Sequence, residues 1–140
     1  MPNNLSDFLK EASNYDISLN ESVFSVKGNE KIKDKLNLHR KSGDDSIYKL
    51  QGIDIVLFDS VPFKEAYFVF ENNLLKVVLF ESYNNDHEKF YDKLCNKYGK
   101  SKDYLNELAG PYFIWNNGKN ELALMKKGKY YFVRFYEKTN

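Results

Sequence analysis

The chain has 140 residues, the size of one domain, and a chain of that length buries roughly 70% of its unfolded surface, enough for a core of its own. Hydrophobic residues make up 42% and charged residues 29%, with a formal net charge of +1, a balance that excludes a disordered chain. No apolar run reaches the roughly 18 residues of a spanning helix, and the single cysteine excludes an internal disulfide and a thiolate zinc site.

A single domain over residues 1–140 is therefore expected. The N-terminal stretch Met1-Pro2-Asn3-Asn4-Leu5-Ser6 lacks the basic and apolar regions of a signal peptide, which predicts a cytoplasmic protein. An exported protein whose signal has been removed would begin the same way. Asn4 or Ser6 is placed to cap a short helix through residue 13, with Leu5, Phe8, Leu9 and Ala12 on one stripe. Residues 14–46 are hard to read. Val23, Phe24 and Val26 suit a strand or a helix, Glu30 to Leu38 has the residues of a polar helix, and Ser42-Gly43-Asp44-Asp45-Ser46 is a polar turn.

Ile47 to Phe58 alternates imperfectly, with Ile53, Ile55 and Leu57 on one face. After Pro62, Ala66, Phe68 and Phe70 share a face, opposite Tyr67 and Val69. Asn72-Asn73 suits a tight turn, since Asn tolerates positive φ. Leu75, Val77 and Leu79 then share a face, opposite Val78 and Phe80. The clearest helix follows over 86–98. Asn85 and Glu88 form a capping box, Phe90, Leu94 and Tyr98 recur at i, i+4, i+8, and Gly99 suits the left-handed residue past the end. Residues 100–111 read as a connection with a helical turn around Tyr104, Leu105 and Leu108. Strands at Tyr112–Trp115, Glu121–Lys126 and Tyr130–Tyr136 close the chain, with turns at Asn116-Asn117-Gly118 and Lys127-Gly128.

The resulting fold class is α+β: an antiparallel sheet of about six strands in two meanders, with an N-terminal helical region and a central helix packed on it. Tyr67-Phe68-Val69-Phe70 before Asn72-Asn73 echoes Tyr112-Phe113-Ile114-Trp115 before Asn116-Asn117. A repeat explains the echo, and so does the physics of any strand-turn-strand unit. The helix end Lys97-Tyr98-Gly99-Lys100 followed by a hairpin bearing Trp115 resembles small, often exported, bacterial α+β proteins of unknown function. That resemblance covers about a third of the chain by the extent of these motifs, supports helix-then-meander, and implies no activity.

Catalytic and cofactor patterns are missing from the sequence. Cys95 lies beyond the first turn of its helix, on or near the apolar stripe, which points to a buried structural thiol. His39 and His87 sit in no recognisable pattern. Asp86-His87-Glu88 cannot converge on one ion, because adjacent helical side chains diverge. Asp16-x-Ser18-x-Asn20-x-Ser22 imitates a calcium loop but has Glu21 where Gly is needed and Lys27 where the bidentate Glu belongs. The glycines form neither a dinucleotide fingerprint nor a P-loop. No cofactor or metal is expected, and an enzyme would have to assemble distant groups such as Asp54, His39 or His87.

The aromatic residues are more informative: 11 Tyr, 11 Phe and 1 Trp, 16% of the chain. On the last strand Tyr131, Val133 and Phe135 face one way, and Tyr130, Phe132, Arg134 and Tyr136 the other. A sheet with one solvated face should be polar there. Either helices or long loops cover both faces, with the N-terminal region on the opposite side from the central helix, or one face is a binding surface. The candidate binding residues are Tyr130, Phe132, Arg134, Tyr136 and Tyr67. They favour a non-catalytic module that binds a protein partner or a second copy, ahead of a small-molecule carrier or sensor with an aromatic-lined pocket. Of the 21 basic residues, only Arg40 and Arg134 are Arg, which argues against reading nucleic acid by bidentate forks. A membrane partner is not expected either.

Overall fold

The computed structural model of the chain describes residues 7–83, 87–106 and 110–138. Two short helices lead, α1 (Phe8–Ser13) and α2 (Val23–Lys27). Asp7, not Asn4 or Ser6, caps α1 by accepting the Lys10 backbone N–H at 3.1 Å; residues 1–6 lie outside the described residues. Phe8, Leu9 and Ala12 are buried as their spacing predicts. Ser22 caps α2 by accepting the Ser25 N–H, which settles Val23–Val26 as helix. Backbone bonds from Val23 N–H to Asn73 and from Leu75 N–H to Glu21 tie the entry of α2 to the sheet.

The strands are β1 (Leu36–Ser42), β2 (Asp45–Leu50), β3 (Ile55–Leu57), β4 (Val61–Phe63), β5 (Glu65–Glu71) and β6 (Leu74–Tyr83). Helix α3 (His87–Tyr98) follows, then β7 (Lys102–Asn106), β8 (Gly110–Asn117), β9 (Asn120–Lys127) and β10 (Tyr130–Glu137). Eight strands form one antiparallel sheet in the order β1-β2-β5-β6-β10-β9-β8-β7, and β3–β4 form a separate hairpin. The α+β class and the two meanders hold, but the sheet is larger than about six strands. Each half supplies helix followed by a four-stranded meander, and the last strands of the halves, β6 and β10, pair at the centre. The sequence echo matches β5 to β8, the third strand of one meander and the second of the other, so it does not follow this topological repeat.

Several local expectations change. The polar helix over Glu30–Leu38 gives way to turns and to strand β1, whose side chains are almost all exposed. Ile47–Phe58 is two strands, separated at Gly52, whose φ of +76° suits a residue without Cβ. Residues 102–106 pair with β8 as a strand, in place of the expected helical turn; Leu108 lies outside the described residues, as does the proposed cap Asn85. Leu75 does not share a face with Val77 and Leu79. A register shift between Val69 and Phe70 makes β6 bulge, so Leu75 is buried alongside Val78 and Phe80 while Val77 and Leu79 turn outward. The Asn72-Asn73 turn has the expected positive φ, 52° and 64°. Gly99 ends α3 at φ +86° and returns its N–H to Cys95 at 2.8 Å.

One face of the sheet, here the inner face, carries the core. Phe68, Phe70, Phe80, Tyr131, Val133 and Phe135 are essentially inaccessible there. The β3–β4 hairpin inserts Phe63 among Phe80, Phe90 and Tyr131, with ring centroids 5.2–5.9 Å apart. Helix α3 adds Phe90 and Leu94, and its Tyr91 meets Phe113 at 4.6 Å. Helix α1 meets α3 through Phe8 and Tyr98, edge to face at 4.7 Å. The N-terminal helices therefore pack on the same face as α3, not the opposite one. Among the described residues, no helix is long and apolar enough to cross a membrane.

Phe80 sits at the centre, opposite Ala66 on β5 and Val133 on β10. Phe80→Ala should destabilise by about 3–5 kcal/mol in denaturant unfolding; a loss below about 1 kcal/mol would show that the core collapses around the gap. Tyr15 is buried with no hydrogen-bond partner for its hydroxyl among the described residues, and burial pushes its pKa up to about 12. Tyr15→Phe should therefore stabilise at neutral pH by about 1 kcal/mol. The phenol's contribution is complete below its unfolded pKa of 10.0 and disappears as pH rises through about 12. The variant should lose less stability than the parent over that alkaline range, as thermal melts would show.

Candidate functional site

The opposite, outer face bears Tyr67 and Val69 from β5, Val77, Leu79 and Glu81 from β6, and Tyr130, Phe132, Arg134 and Tyr136 from β10. Period-two alternation puts them there, since their sequence neighbours form the core. The described helices and the β3–β4 hairpin contribute to the inner-face core and leave this face to its own side chains. Arg134 is exposed, and Tyr67, Tyr130, Phe132 and Tyr136 are half-buried. All five sequence-predicted residues thus lie on one surface.

Cross-strand register arranges that surface in rows. Lys49, Tyr67, Leu79, Arg134, Ala123 and Ile114 run from β2 to β8. Beside them run Glu65, Glu81, Phe132 and Met125. On the other side Val69, Val77, Tyr136 and Glu121 form a third row. The Arg134 guanidinium lies over the Tyr136 ring, 4.5 Å from its centroid. Burial, and then the Glu121 carboxylate opposite, hold the Tyr136 phenol above its ordinary range. At one corner Tyr83 and Tyr130 stack at 5.5 Å, and the Lys64 ammonium donates to the Tyr83 hydroxyl at 2.5 Å. His39 reaches this face and meets the Tyr67 ring edge-on at 5.4 Å.

Glu65 and Glu81 stand directly opposite one another on β5 and β6. The pair is asymmetric. The Lys49 ammonium bridges to Glu65 at 2.5 Å, and the Tyr67 hydroxyl donates to the same carboxylate at 3.0 Å. Lys49 above all holds Glu65 below the usual carboxylate range. Burial, then the neighbouring Glu65 carboxylate, hold Glu81 above it. The result is an asymmetric carboxyl pair, one member shifted below the ordinary range and the other above it, set among Lys49, Tyr67 and Phe132. None of Lys49, Glu65 and Glu81 carries a motif. Their only sequence signal is an outward strand position.

The groups an enzyme would have to assemble are not brought together. His39 is on the outer face, whereas His87 is buried against Tyr131 and Phe113 on the inner one. Burial lowers the His87 pKa. Asp54 is exposed in the loop before β3. Cys95 is half-buried and packs against the core.

The chain belongs to the TP0088 domain family, whose model matches residues 10–140, a span that includes the whole outer face. No curated protein and no solved structure matches the chain.

The carboxyl pair makes a signed prediction. Glu81, with its raised pKa, favours folding below about pH 4.5 and loses that contribution as pH rises. Glu65, with its lowered pKa, contributes above about pH 4.5 and loses its contribution as pH falls. Glu81→Gln should raise Tm at neutral pH, with the gain vanishing near about pH 4. Glu65→Gln should lower Tm at neutral pH. Equal shifts of the same sign would disprove the asymmetry.

Proposed function

We propose that the protein is a non-catalytic binding module that engages a protein surface, a second copy of this chain being the first partner to test, through the outer face of its sheet. The observation that supports this reading is a full sheet face with no described helix over it, carrying half-exposed Tyr67, Tyr130, Phe132 and Tyr136 around the exposed Arg134. Tyr, Phe and Arg are the side chains that anchor interfaces, because they bring large area or a planar fork for little rotamer entropy. Charges of both signs are interleaved with them: Lys49 and Arg134 against Glu65, Glu81 and Glu121. Such a surface can meet a rotated copy of itself with opposite charges in register. Seven inter-strand gaps of about 4.8 Å make the sheet about 33 Å wide, wide enough for the roughly 800 Å² that one partner contributes to a standard interface.

Native mass spectrometry of the gently purified protein tests this directly. A dimer, or a complex with another protein, is expected. Alanine at Tyr130, Phe132 and Tyr136 should release the partner while thermal melts still show a cooperative fold, and Arg134→Glu should do so with little change in Tm. A bare monomer at all concentrations overturns the reading. An adduct of small-molecule mass overturns it in favour of a carrier or sensor.

A further inference from the structure

His87 is the first residue of α3, and it is 7% exposed. Aromatic side chains of two strands face its ring. Tyr131 of β10 meets it edge-on at 5.7 Å, and Phe113 of β8 lies at 6.2 Å. Its Nε2 has almost no contact with water, and among the described residues no group hydrogen-bonds to it. Buried polar atoms are nearly always paired, so an orphaned one calls for a reason. Phenylalanine or leucine would pack among these rings without leaving a polar atom unsatisfied. Histidine differs from both in taking up a proton just below neutral pH.

The closed fold resists that proton. Burial disfavours the imidazolium most, and Lys126, which pairs opposite Tyr131, adds a like charge from β9. The start of α3 adds the positive end of the helix dipole. Phe113 brings no charge from β8, and the Tyr131 phenol of β10 is neutral through the acid range. Glu88 of α3 favours the cation, but it is exposed and, as the next residue along the helix, points elsewhere. The strain is local. Glu88 and Lys89 are exposed, and the next core anchors of α3 are Phe90 and Leu94. The ring can therefore leave by loosening one helical turn, while Tyr131 keeps Phe63 and Phe90 as neighbours.

We propose that His87 is an acid-operated latch between α3 and the sheet. Neutral, it closes the first turn of α3 onto Phe113 and Tyr131. Protonated, it moves into water and that turn opens, while the rest of the fold stays intact. The open form accepts a proton that the closed form resists. As pH falls below the ordinary histidine value of 6.5, the balance thus shifts toward opening by up to about tenfold per pH unit, until the closed form is itself protonated. The latch lies on the inner face, so it and the reading of the outer face can fail separately.

The chain has two histidines, so NMR titration of the full-length protein gives two imidazole signals, and His39→Gln identifies which is His87. The His87 signal should titrate below 6.5. Amide hydrogen exchange, corrected for the pH dependence of the intrinsic rate, reads the opening. The amides of Tyr91 and Asp92 bond back to the first turn of the helix. Between about pH 7 and about pH 5 they should lose about tenfold or more in protection, while the amides of the β6–β10 seam keep theirs. His87→Phe and His87→Gln carry no proton site, and in either variant this loss should be absent. Titration of His87 at or above 6.5 overturns the proposal, as does unchanged protection of Tyr91 and Asp92 in the parent. So does an equal loss in a folded variant, or a loss in the seam of the same size as in α3, which would be global unfolding.

Discussion

The pairing of β6 with β10 is the constraint on which the structure depends. Each half of the chain makes a four-stranded meander, and each meander ends in an unsatisfied edge. Seven residue pairs, from Tyr130 opposite Tyr83 to Tyr136 opposite Val77, join those two edges. The seam also brings Phe80 beside Val133, and Val78 beside Phe135, which creates the centre of the core. Without it β6 would present a long apolar edge, the kind that pairs with other chains. The closure spans about fifty residues of sequence, so loop entropy must be overcome before the seam returns any free energy. The outermost strands are β1 and β7. On β1 the exposed Arg40 and Lys41 supply the charge that discourages further pairing.

Legibility in the sequence followed burial. The six strands read from alternation are those with neighbours on both sides, although one of them ran on into the hairpin strand β3. The two sheet strands missed, β1 and β7, are both edges. An edge strand is protected by charge rather than by burial, so Leu36-Asn37-Leu38-His39-Arg40-Lys41 shows no apolar period, and its lysine-rich approach looks like a polar helix. Turns were legible where a backbone needs positive φ, as at Asn72-Asn73 and Gly99. The bulge was not. Counting back from the Asn72-Asn73 turn places Glu65 opposite Phe80, and the register shift after Phe70 places it opposite Glu81 instead. One inserted residue therefore separates a sequence that predicts two unrelated acids from a fold that pairs them. The five aromatic and arginine residues of the outer face needed no such detail, because alternation alone keeps them off the core side.

The aromatic excess on both faces had two explanations, and the described helices bear on one of them, because they cover only the inner face. Helices α1, α2 and α3 all contribute to the inner-face core, with α1 resting on α3 through Phe8 and Tyr98. The outer face is screened by its own side chains: the ammonium of Lys49 over Tyr67, the guanidinium of Arg134 over Tyr136, and Tyr83 stacked on Tyr130. Such screening reduces the cost of exposing rings without burying them, and a second protein surface would remove more of their area from water. That is the physical basis for reading this face as a contact surface.

The Glu65–Glu81 pair separates the needs of folding from those of a site. Like charges directly opposite on neighbouring strands destabilise a sheet, and β-branched or aromatic residues at those positions would strengthen it. Here two carboxyl groups face each other and depend on Lys49 and Tyr67 for compensation. A fold selected only for stability would not need this arrangement, and departures from local consistency are expected where a surface has work to do. The opposed shifts of the two carboxyl groups make the charge of this part of the outer face sensitive to its environment. A cation placed over the pair would lower the Glu81 pKa. An apolar surface placed there would raise it further. The proposed role of this face in binding accounts for such a pair where packing alone does not.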